Sequence, residues 1–353
     1  MKVLLIIDHA PDYREDFFYE LGKQVDLTVV AQPCEDGLRS PNVRSGYVYI
    51  EIPAKRYMGF YWQPGLDQLL HNEEWDILCI DLNMRHLERL FLFLKNPKYW
   101  SRWVWWGHIF GLNSSRVLDY LRRFLLTHSG GCLAYNEGIV GHLRTRYGIK
   151  ALSINNSQIR ENDFRVGCFS SHPEIRMLFV GRYQYRKRLE RFVDLALRRT
   201  DIHVRLVGPG MEELKVPDAL LSTGRFELFS QTVGTNLNQH FDWADLVANP
   251  GHVGLLVSNT AMHGKGIVID RDSKHAPEYW LALETKQPFI SFGDPNAVDT
   301  FIEGIKQCPD QVQVWGNLLQ SIAREKHTIE HMVKIHLELF KKIYNDTKHK
   351  IGD

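Results

Sequence analysis

The alternation of apolar and polar positions is clearest between residues 177 and 210. Met177, Leu178, Phe179 and Val180 run apolar and stop at Gly181, a strand ended by a tight turn. Arg182 follows at once, and Lys187 stands five residues later. Leu189, Phe192, Val193, Leu195 and Ala196 then recur at helical spacing. A second apolar run, 203–207, closes on Gly208-Pro209-Gly210. The order strand, basic turn, helix, strand, Gly-rich turn is a βαβ unit. In an open α/β sheet the ligand lies at the carboxyl ends of the strands, so Arg182 and Lys187 fall on the ligand edge. Two cations beside a helix start suit a diphosphate, because the helix dipole and its unbonded N–H groups add to their charge. Solvated charges at a helix start are the plain alternative.

The same pattern recurs along the chain. Residues 3–7 are a continuous apolar run, the mark of a buried parallel strand. A polar loop over 8–14 leads into a helix over 14–23 that packs with Phe17, Phe18 and Leu21. The first turn lacks GxGxxG, which argues against an NAD or FAD site there. Further strands are expected at 25–31, 47–52 and 75–80, and a helix at 87–94. Residues 103–106 form a strand that ends at Gly107-His108, which places His108 on a loop at a carboxyl edge. A helix over 115–127 combines an apolar stripe with Arg116, Arg122 and Arg123; such a helix can lie on an anionic membrane or be ordinary domain structure. Strands at 132–135 and 150–154 flank another helix, and the polar run 155–163 reads as a linker. In the second half, strands are expected at 226–229, 244–250, 266–270 and 289–292. Helices are expected at 233–243, 297–305 and 314–344. Residues 216–221 read as weakly structured and 345–353 as a frayed end.

A length of 353 residues accommodates two domains. The chain is 44% hydrophobic and 24% charged, a globular profile, and a net charge of +1 carries no nucleic-acid signature. The 5 cysteines are scattered and odd in number; with no signal-like N-terminus they point to a reducing cytoplasm. The 16 histidines are not spaced as metal ligands.

Val180-Gly181-Arg182, Lys187 and Val207-Gly208-Pro209-Gly210 resemble the start of the C-terminal domain of retaining GT-B glycosyltransferases of family four. Arg188 stands where that family usually has Gly. Residues 244–250 resemble its A-D-x-x-x-x-P strand, and His275-Ala276-Pro277-Glu278 its P-E turn. Pro11 to Leu21 resemble an N-terminal signature, P-x-Y-R-x-x-F-F-x-x-L, and Trp106-Gly107-His108 a W-G-H element. The resemblance implies an α/β, GT-B fold of two Rossmann-like domains facing one another across a cleft. Residues 1–160 would be the acceptor domain, 161–325 the nucleotide-sugar donor domain and 326–353 a helical tail. It further implies that Arg182 and Lys187 hold the donor diphosphate, beside Gly181, Gly208 and Gly210, and that the strand from Phe226 borders the base. His108 and Glu278 would complete the catalytic set at the donor sugar, approaching it from opposite walls, with Tyr13 and Arg14 on the acceptor side. The alternatives are a hydrogen-bonded structural role for His108, an N-cap role for Glu278 and a surface salt bridge at Tyr13 and Arg14.

One departure stands out. The family commonly carries two glutamates eight residues apart in the second loop. Aligned on Gly264, these positions hold Gly251 and Asn259, and neither is a carboxylate. The P-G-x-V-G-L loop, 250–255, resembles a bacterial branch in which the backbone N–H groups of Gly254 and Leu255, at a helix N-terminus, bind phosphate, with Val253 beside them in the donor site. Asn259 can still hydrogen-bond a ribose hydroxyl. The implied activity is retaining transfer from a nucleoside diphosphate sugar to a glycan or lipid-linked hydroxyl, as in polysaccharide biosynthesis. It implies no metal and no cofactor, a nucleotide-sugar partner, no nucleic acid, and a cytoplasmic protein with a peripheral contact on the inner face of the membrane. Two other classes stay open: a GT-B nucleotide-sugar epimerase, which needs paired carboxylates, and a non-catalytic nucleotide-sugar binding protein, favoured by the missing glutamates.

Overall fold

The computed structural model describes residues 1–34, 40–42, 45–110, 116–169, 173–230 and 235–352. The expected helix starts at Ser115 and Val233 lie outside these residues. The chain divides into two compact units, Met1–Gln158 with Ile329–Asp353, and Ile159–Thr328.

The first unit is built on β1 (Lys2–His9), β2 (Asp26–Gln32), β3 (Tyr47–Glu51), a separate hairpin of β4 (Lys55–Tyr57) and β5 (Phe60–Trp62), then β6 (Ile77–Asp81), β7 (Trp103–Gly107), β8 (Gly131–Ala134) and β9 (Leu152–Ser153). Seven of these strands form one parallel sheet in the order β3-β2-β1-β6-β7-β8-β9. The helices are α1 (Glu15–Gly22), α2 (Leu66–Asn72), α3 (Leu87–Lys95), α4 (Arg116–His128) and α5 (Glu137–Tyr147). Strand side chains alternate between faces. Val3, Leu5 and Ile7 of β1 therefore join Phe17, Phe18 and Leu21 in one core layer. Leu4 and Ile6 join Leu90, Phe93 and Leu125 in the other. A strand buried on both faces has no polar side, which is why residues 3–7 are continuously apolar.

The second unit contains β10 (Ile175–Val180), β11 (Ile202–Val207), β12 (Phe226–Phe229), β13 (Leu246–Asn249), β14 (Gly266–Asp270) and β15 (Phe289–Ile290). They form a parallel sheet in the order β12-β11-β10-β13-β14-β15. This is the doubly wound Rossmann order. Around it lie α6 (Glu190–Arg198), α7 (Asp218–Leu221), α8 (Thr235–Trp243), α9 (Leu256–Met262), α10 (Tyr279–Glu284), α11 (Pro295–Gln307) and α12 (Asp310–Lys326). The helical stretch expected over 314–344 is two helices. The chain breaks at His327 and Thr328, and α13 (Ile329–Gly352) follows. Val312, Leu319 and Ala323 of α12 pack in the second unit's core. Ile329, Met332, Phe340 and Ile343 of α13 pack in the first unit's core, against α1.

Some elements carry no sequence signal, α2, α7 and the β4–β5 hairpin among them. Residues 216–221 contain the short α7. The β4–β5 hairpin turns through Met58 (φ 48) and Gly59 (φ 84), a two-residue turn with both φ positive. Asn-Gly is the usual signature of such a turn, and Met-Gly does not announce it.

Candidate functional site

In the second unit the strand order reverses between β10 and β13, the switch point at which doubly wound sheets bind ligands. The turn after β10 is Gly181-Arg182 and the turn after β13 begins at Pro250. Gly181 (φ 153) and Gly208 (φ 146) both occupy backbone that disfavours a side chain. A Cβ on Gly208 would lie 2.1 Å from the Gly181 carbonyl oxygen. Main-chain bonds from Gly181 N–H to Val207 (2.9 Å), Tyr183 N–H to Pro209 (2.9 Å) and Gly208 N–H to Phe229 (3.0 Å) carry the ladder into the turns. Gly210 (φ 82) opens the one-turn helix over Met211–Glu213.

Lys187 closes a one-turn helix, Tyr185–Lys187, and its Nζ donates to the His252 carbonyl at 2.8 Å. Burial pushes its amine down to about 8, with Arg186 and Arg182 pushing the same way and Glu278 opposing. Arg182 is exposed and Lys187 half-buried. The next residue, Arg188, sits in the left-handed region (φ 54, ψ 40). A non-glycine residue there costs roughly 1–2 kcal/mol, which accounts for the glycine of the resembling pattern. Its guanidinium lies 4.3 Å from the Tyr185 ring. Arg188→Gly relieves the strain but frees the unfolded chain by about 0.5–1 kcal/mol. Its Tm in a thermal melt should therefore equal or slightly exceed that of the wild type. A clear drop would mean that the Tyr185 contact outweighs the strain.

The loop after β13 explains the missing carboxylate. A Cβ on Gly251 would lie 2.5 Å from the Arg186 oxygen and 2.6 Å from the Lys187 carbonyl. The basic turn thus occupies the space a glutamate would need. His252 holds the loop in place: its N–H donates to Arg186 (2.9 Å) and its Nδ1 donates to the Lys274 carbonyl (2.6 Å). With Nδ1 the donor, Nε2 carries the lone pair, and burial first, then Arg186 and Lys187, keeps the ring below its ordinary pKa. His275 Nδ1 accepts from Val253 N–H (3.2 Å) and its Nε2 donates to the Asp270 carbonyl (2.8 Å). Arg191 ties Pro250 (2.6 Å) to the fully buried Asp270 carboxylate (3.0 Å).

Val253 requires a correction. It is fully buried, its carbonyl accepts from Ala276 and its N–H is taken by His275, so neither its side chain nor its N–H is open to a ligand. The Gly254 and Leu255 N–H groups, by contrast, donate to no acceptor among the described residues. Asn259 lies within α9, half-buried, and its carbonyl accepts from His263 Nδ1 (2.8 Å). Phe226 is the second correction. It opens β12 opposite Val204 and is 1% exposed, so it is a core residue at the amino end of the strand. Phe229 is the residue at the carboxyl end, level with Val207; its ring lies 4.5 Å from that of His240. Glu278 precedes α10 in helical geometry, and its side chain makes no cap hydrogen bond. The second unit therefore brings Gly181, Arg182, Lys187, Gly208, Gly210 and the 250–255 loop to one sheet edge, with Glu278 close enough to act on Lys187. His252 and His275 had no periodicity or spacing to announce them.

In the first unit, Tyr13 and Arg14 lie in the one-turn helix after β1. Tyr13 is exposed; Arg14 is buried and makes no salt bridge among the described residues. Its guanidinium lies 5.8 Å from the Tyr135 ring and 6.0 Å from the Trp106 ring, and its Nη1 has no hydrogen-bond partner there. His108 leaves β7 exposed and packs its ring 4.6 Å from Tyr135. Tyr135, not singled out from sequence, thus stands between the two expected residues. Ile109 follows at φ 60, an unfavourable conformation for a β-branched residue and one that tends to occur at functional sites.

The first unit's switch point, between β1 and β6, holds a polar cluster. Asp8 accepts from His86 (2.8 Å), Arg89 (2.9 Å) and Asn83 (2.7 Å), and Arg89 also pairs with Asp81. Burial raises the Asp8 pKa, but the His86 hydrogen bond and the Arg89 charge prevail and hold it below the carboxylate range. The basic face expected on α4 is also corrected. Arg122 is 1% exposed, donating to Ile109 (2.9 Å) and Asp119 (2.7 Å), so only Arg116 and Arg123 face solvent. Among the described residues no group of three or more His, Cys, Asp or Glu could hold a metal ion, and no helix is long and apolar enough to cross a membrane.

No protein-family model and no curated protein matches the sequence. Solved structures do. The chain is similar to sucrose-phosphate synthase from Thermosynechococcus elongatus, with 12% identity over 98% of this chain and 100% of that one, at a TM-score of 0.67. It is similar to a glycosyltransferase from Rickettsia africae, with 12% identity over 97% and 98%, at 0.66. HepE of Anabaena, solved in complex with UDP, matches at 13% identity over 97% and 100%, at 0.68. The fold is that of GT-B glycosyltransferase structures, with two Rossmann-like bodies.

Proposed function

We propose that the chain is a glycosyltransferase that moves a sugar from a nucleoside diphosphate sugar to a hydroxyl acceptor with retention. The observation that carries the reading is Lys187. Its ammonium is held by the His252 carbonyl at the second unit's switch point, already destabilised by burial and by Arg182 and Arg186. A diphosphate placed there offsets that cost, and the Gly254 and Leu255 N–H groups offer it further donors. A UDP-linked donor is the first to try, because HepE, similar in fold, is solved with UDP and with UDP-glucose.

In this reading the bond from the anomeric carbon to the phosphate oxygen breaks and a bond to the acceptor oxygen forms. The acceptor proton passes to the departing phosphate oxygen on the same face, so no protein nucleophile is required. Arg182 and Lys187 stabilise the charge that develops on the leaving diphosphate, which is why the reading needs no metal ion. Glu278 and His108 act at the donor sugar, and Tyr13 on the acceptor, a glycan or a lipid-linked hydroxyl, with the buried Arg14 packed behind it against Tyr135.

Thermal melts against a panel of nucleoside diphosphate sugars test the reading, since a ligand at 100 times its Kd adds about 2.7 kcal/mol. Release of free nucleotide should then require an acceptor. Stabilisation without any acceptor-dependent release would favour a non-catalytic binding protein, the reading that the closed position at Gly251 keeps in view.

Lys187 also sets a pH dependence. Its free-state pKa near 8 rises when the diphosphate binds, so binding takes up a proton once the pH exceeds that value. Nucleoside diphosphate affinity should fall by up to about tenfold per pH unit above 8. Titration calorimetry across that range checks it, and the slope should vanish in Lys187→Ala.

A further inference from the structure

The β4–β5 hairpin and α3 of the first unit expose large apolar side chains together, which a soluble surface rarely does. In the hairpin Lys55 opposes Trp62 and Tyr57 opposes Phe60, and residues opposite or two apart share a face. On that face Tyr57 is 77% exposed, Phe60 45% and Trp62 43%. The other face is pinned to the domain, because Tyr61 stacks on the buried His86 at 4.9 Å. At the tip, Met58 is 82% exposed and held at φ 48, where Asn or Gly is normally chosen. The turn thus tolerates backbone strain to keep an apolar side chain in water.

Helix α3 continues the surface. Leu90 and Phe93 face the core, while Leu87, Phe91 and Leu94 are exposed. Their spacing of four and three residues makes one stripe. A surface helix should be polar on that side, and one that is apolar all round is covered by something. The Trp62 and Phe91 rings, 6.2 Å apart, join the two elements into one patch.

The charge around the patch is mostly positive. Residues 55–66 contain no Asp or Glu. Over 85–98 the only carboxylate is Glu88, which is buried. Lys55, Arg56, Arg85 and Lys95 are all exposed, and Lys95 lies 5.9 Å from the Phe91 ring. Asp67, beside Lys95 and His71, is the nearby acid.

We infer that the hairpin and the outer stripe of α3 form a surface that docks on an anionic lipid bilayer, with Met58 and its aromatic neighbours entering the headgroup layer. Exposed Trp and Tyr suit the membrane interface, and the exposed cations Lys55, Arg56, Arg85 and Lys95 suit lipid phosphates. Protein interfaces are instead depleted in lysine. The membrane contact expected on α4 is thereby moved to a different element. The inference goes beyond the proposed transfer reaction and does not depend on it.

Sedimentation with vesicles tests it without any sugar donor. The full chain should pellet with phosphatidylcholine vesicles that contain phosphatidylglycerol, far less with phosphatidylcholine alone, and less as salt rises. Met58→Asn suits the turn and should lower the partition coefficient about tenfold, as withdrawal of one apolar side chain from lipid predicts. Phe91→Ser, on a different element, and Lys55→Gln with Arg85→Gln should also weaken binding, whereas Arg116→Gln with Arg123→Gln should not. Thermal melts establish that each variant is folded. Failure of the wild type to bind anionic vesicles, or unchanged binding in the folded hairpin and α3 variants, overturns the inference. So does a dimer, seen by light scattering, that Met58→Asn converts to monomer without any vesicle binding; the face would then be an interface between copies of this chain.

Discussion

Lys187→Ala is expected to bind a nucleoside diphosphate about ten- to a hundredfold more weakly than the wild type, the loss of one charge-assisted hydrogen bond of roughly 1.5–3 kcal/mol. Arg182→Ala should fall at the lower end, because Arg182 is exposed and its charge is better screened. The fold should survive both changes. The sign follows from the pKa: Lys187 titrates near 8 in the folded chain, below its ordinary 10.5, so near neutral pH its ammonium is worse placed folded than unfolded. Alanine removes that burden along with the bond to His252. Titration calorimetry gives the affinity and a thermal melt the stability. Unchanged nucleotide affinity in both variants would remove the diphosphate site and, with it, the proposed reaction.

The second large effect is on turnover. Glu278→Ala and His108→Ala should each lower kcat/KM for sugar transfer by about a hundredfold or more, the scale for removing a group that stabilises developing charge. Nucleoside diphosphate without its sugar should bind both nearly as well as wild type. Stability should change little, because neither side chain belongs to a hydrophobic core. Glu278 carries an internal check. It raises the Lys187 pKa, so in Glu278→Ala the pH at which nucleotide affinity begins to fall should move down. Full transfer activity in either variant would strike that residue from the site. An unmoved pH midpoint would mean that Glu278 does not act on Lys187.

Much of this was legible in the chain. Strands buried on both faces must be continuously apolar, so β1, β6, β10, β13 and β14 announce themselves in sequence. Helices such as α6 announce themselves by the spacing of Phe192, Val193 and Ala196. The order of these elements marks a doubly wound sheet. Gly181 and Gly208 mark turns because a short-range backbone requirement is written in residue type. The strand that precedes them places the cations Arg182 and Lys187 at the carboxyl edge of the sheet.

Other features depend on contacts between segments far apart in sequence, and no local pattern records them. Phe226 and Phe229 look alike in sequence. Only the pairing with β11 decides that the first is core and the second stands at the carboxyl edge of the sheet. Arg122 has the sequence context of an exposed basic face, yet it turns inward to Ile109 and Asp119. Gly251 reads as a missing glutamate; the packed backbone of Arg186 and Lys187 shows that no side chain fits there. The lowered pKa of His252 and of Lys187 and the tautomer of His275 arise from burial and from neighbours brought together by the sheet. Period and composition, being properties of neighbouring residues, determined the elements and their edge. The direction each side chain faces, and the charge it keeps there, were decided only when distant strands and loops packed.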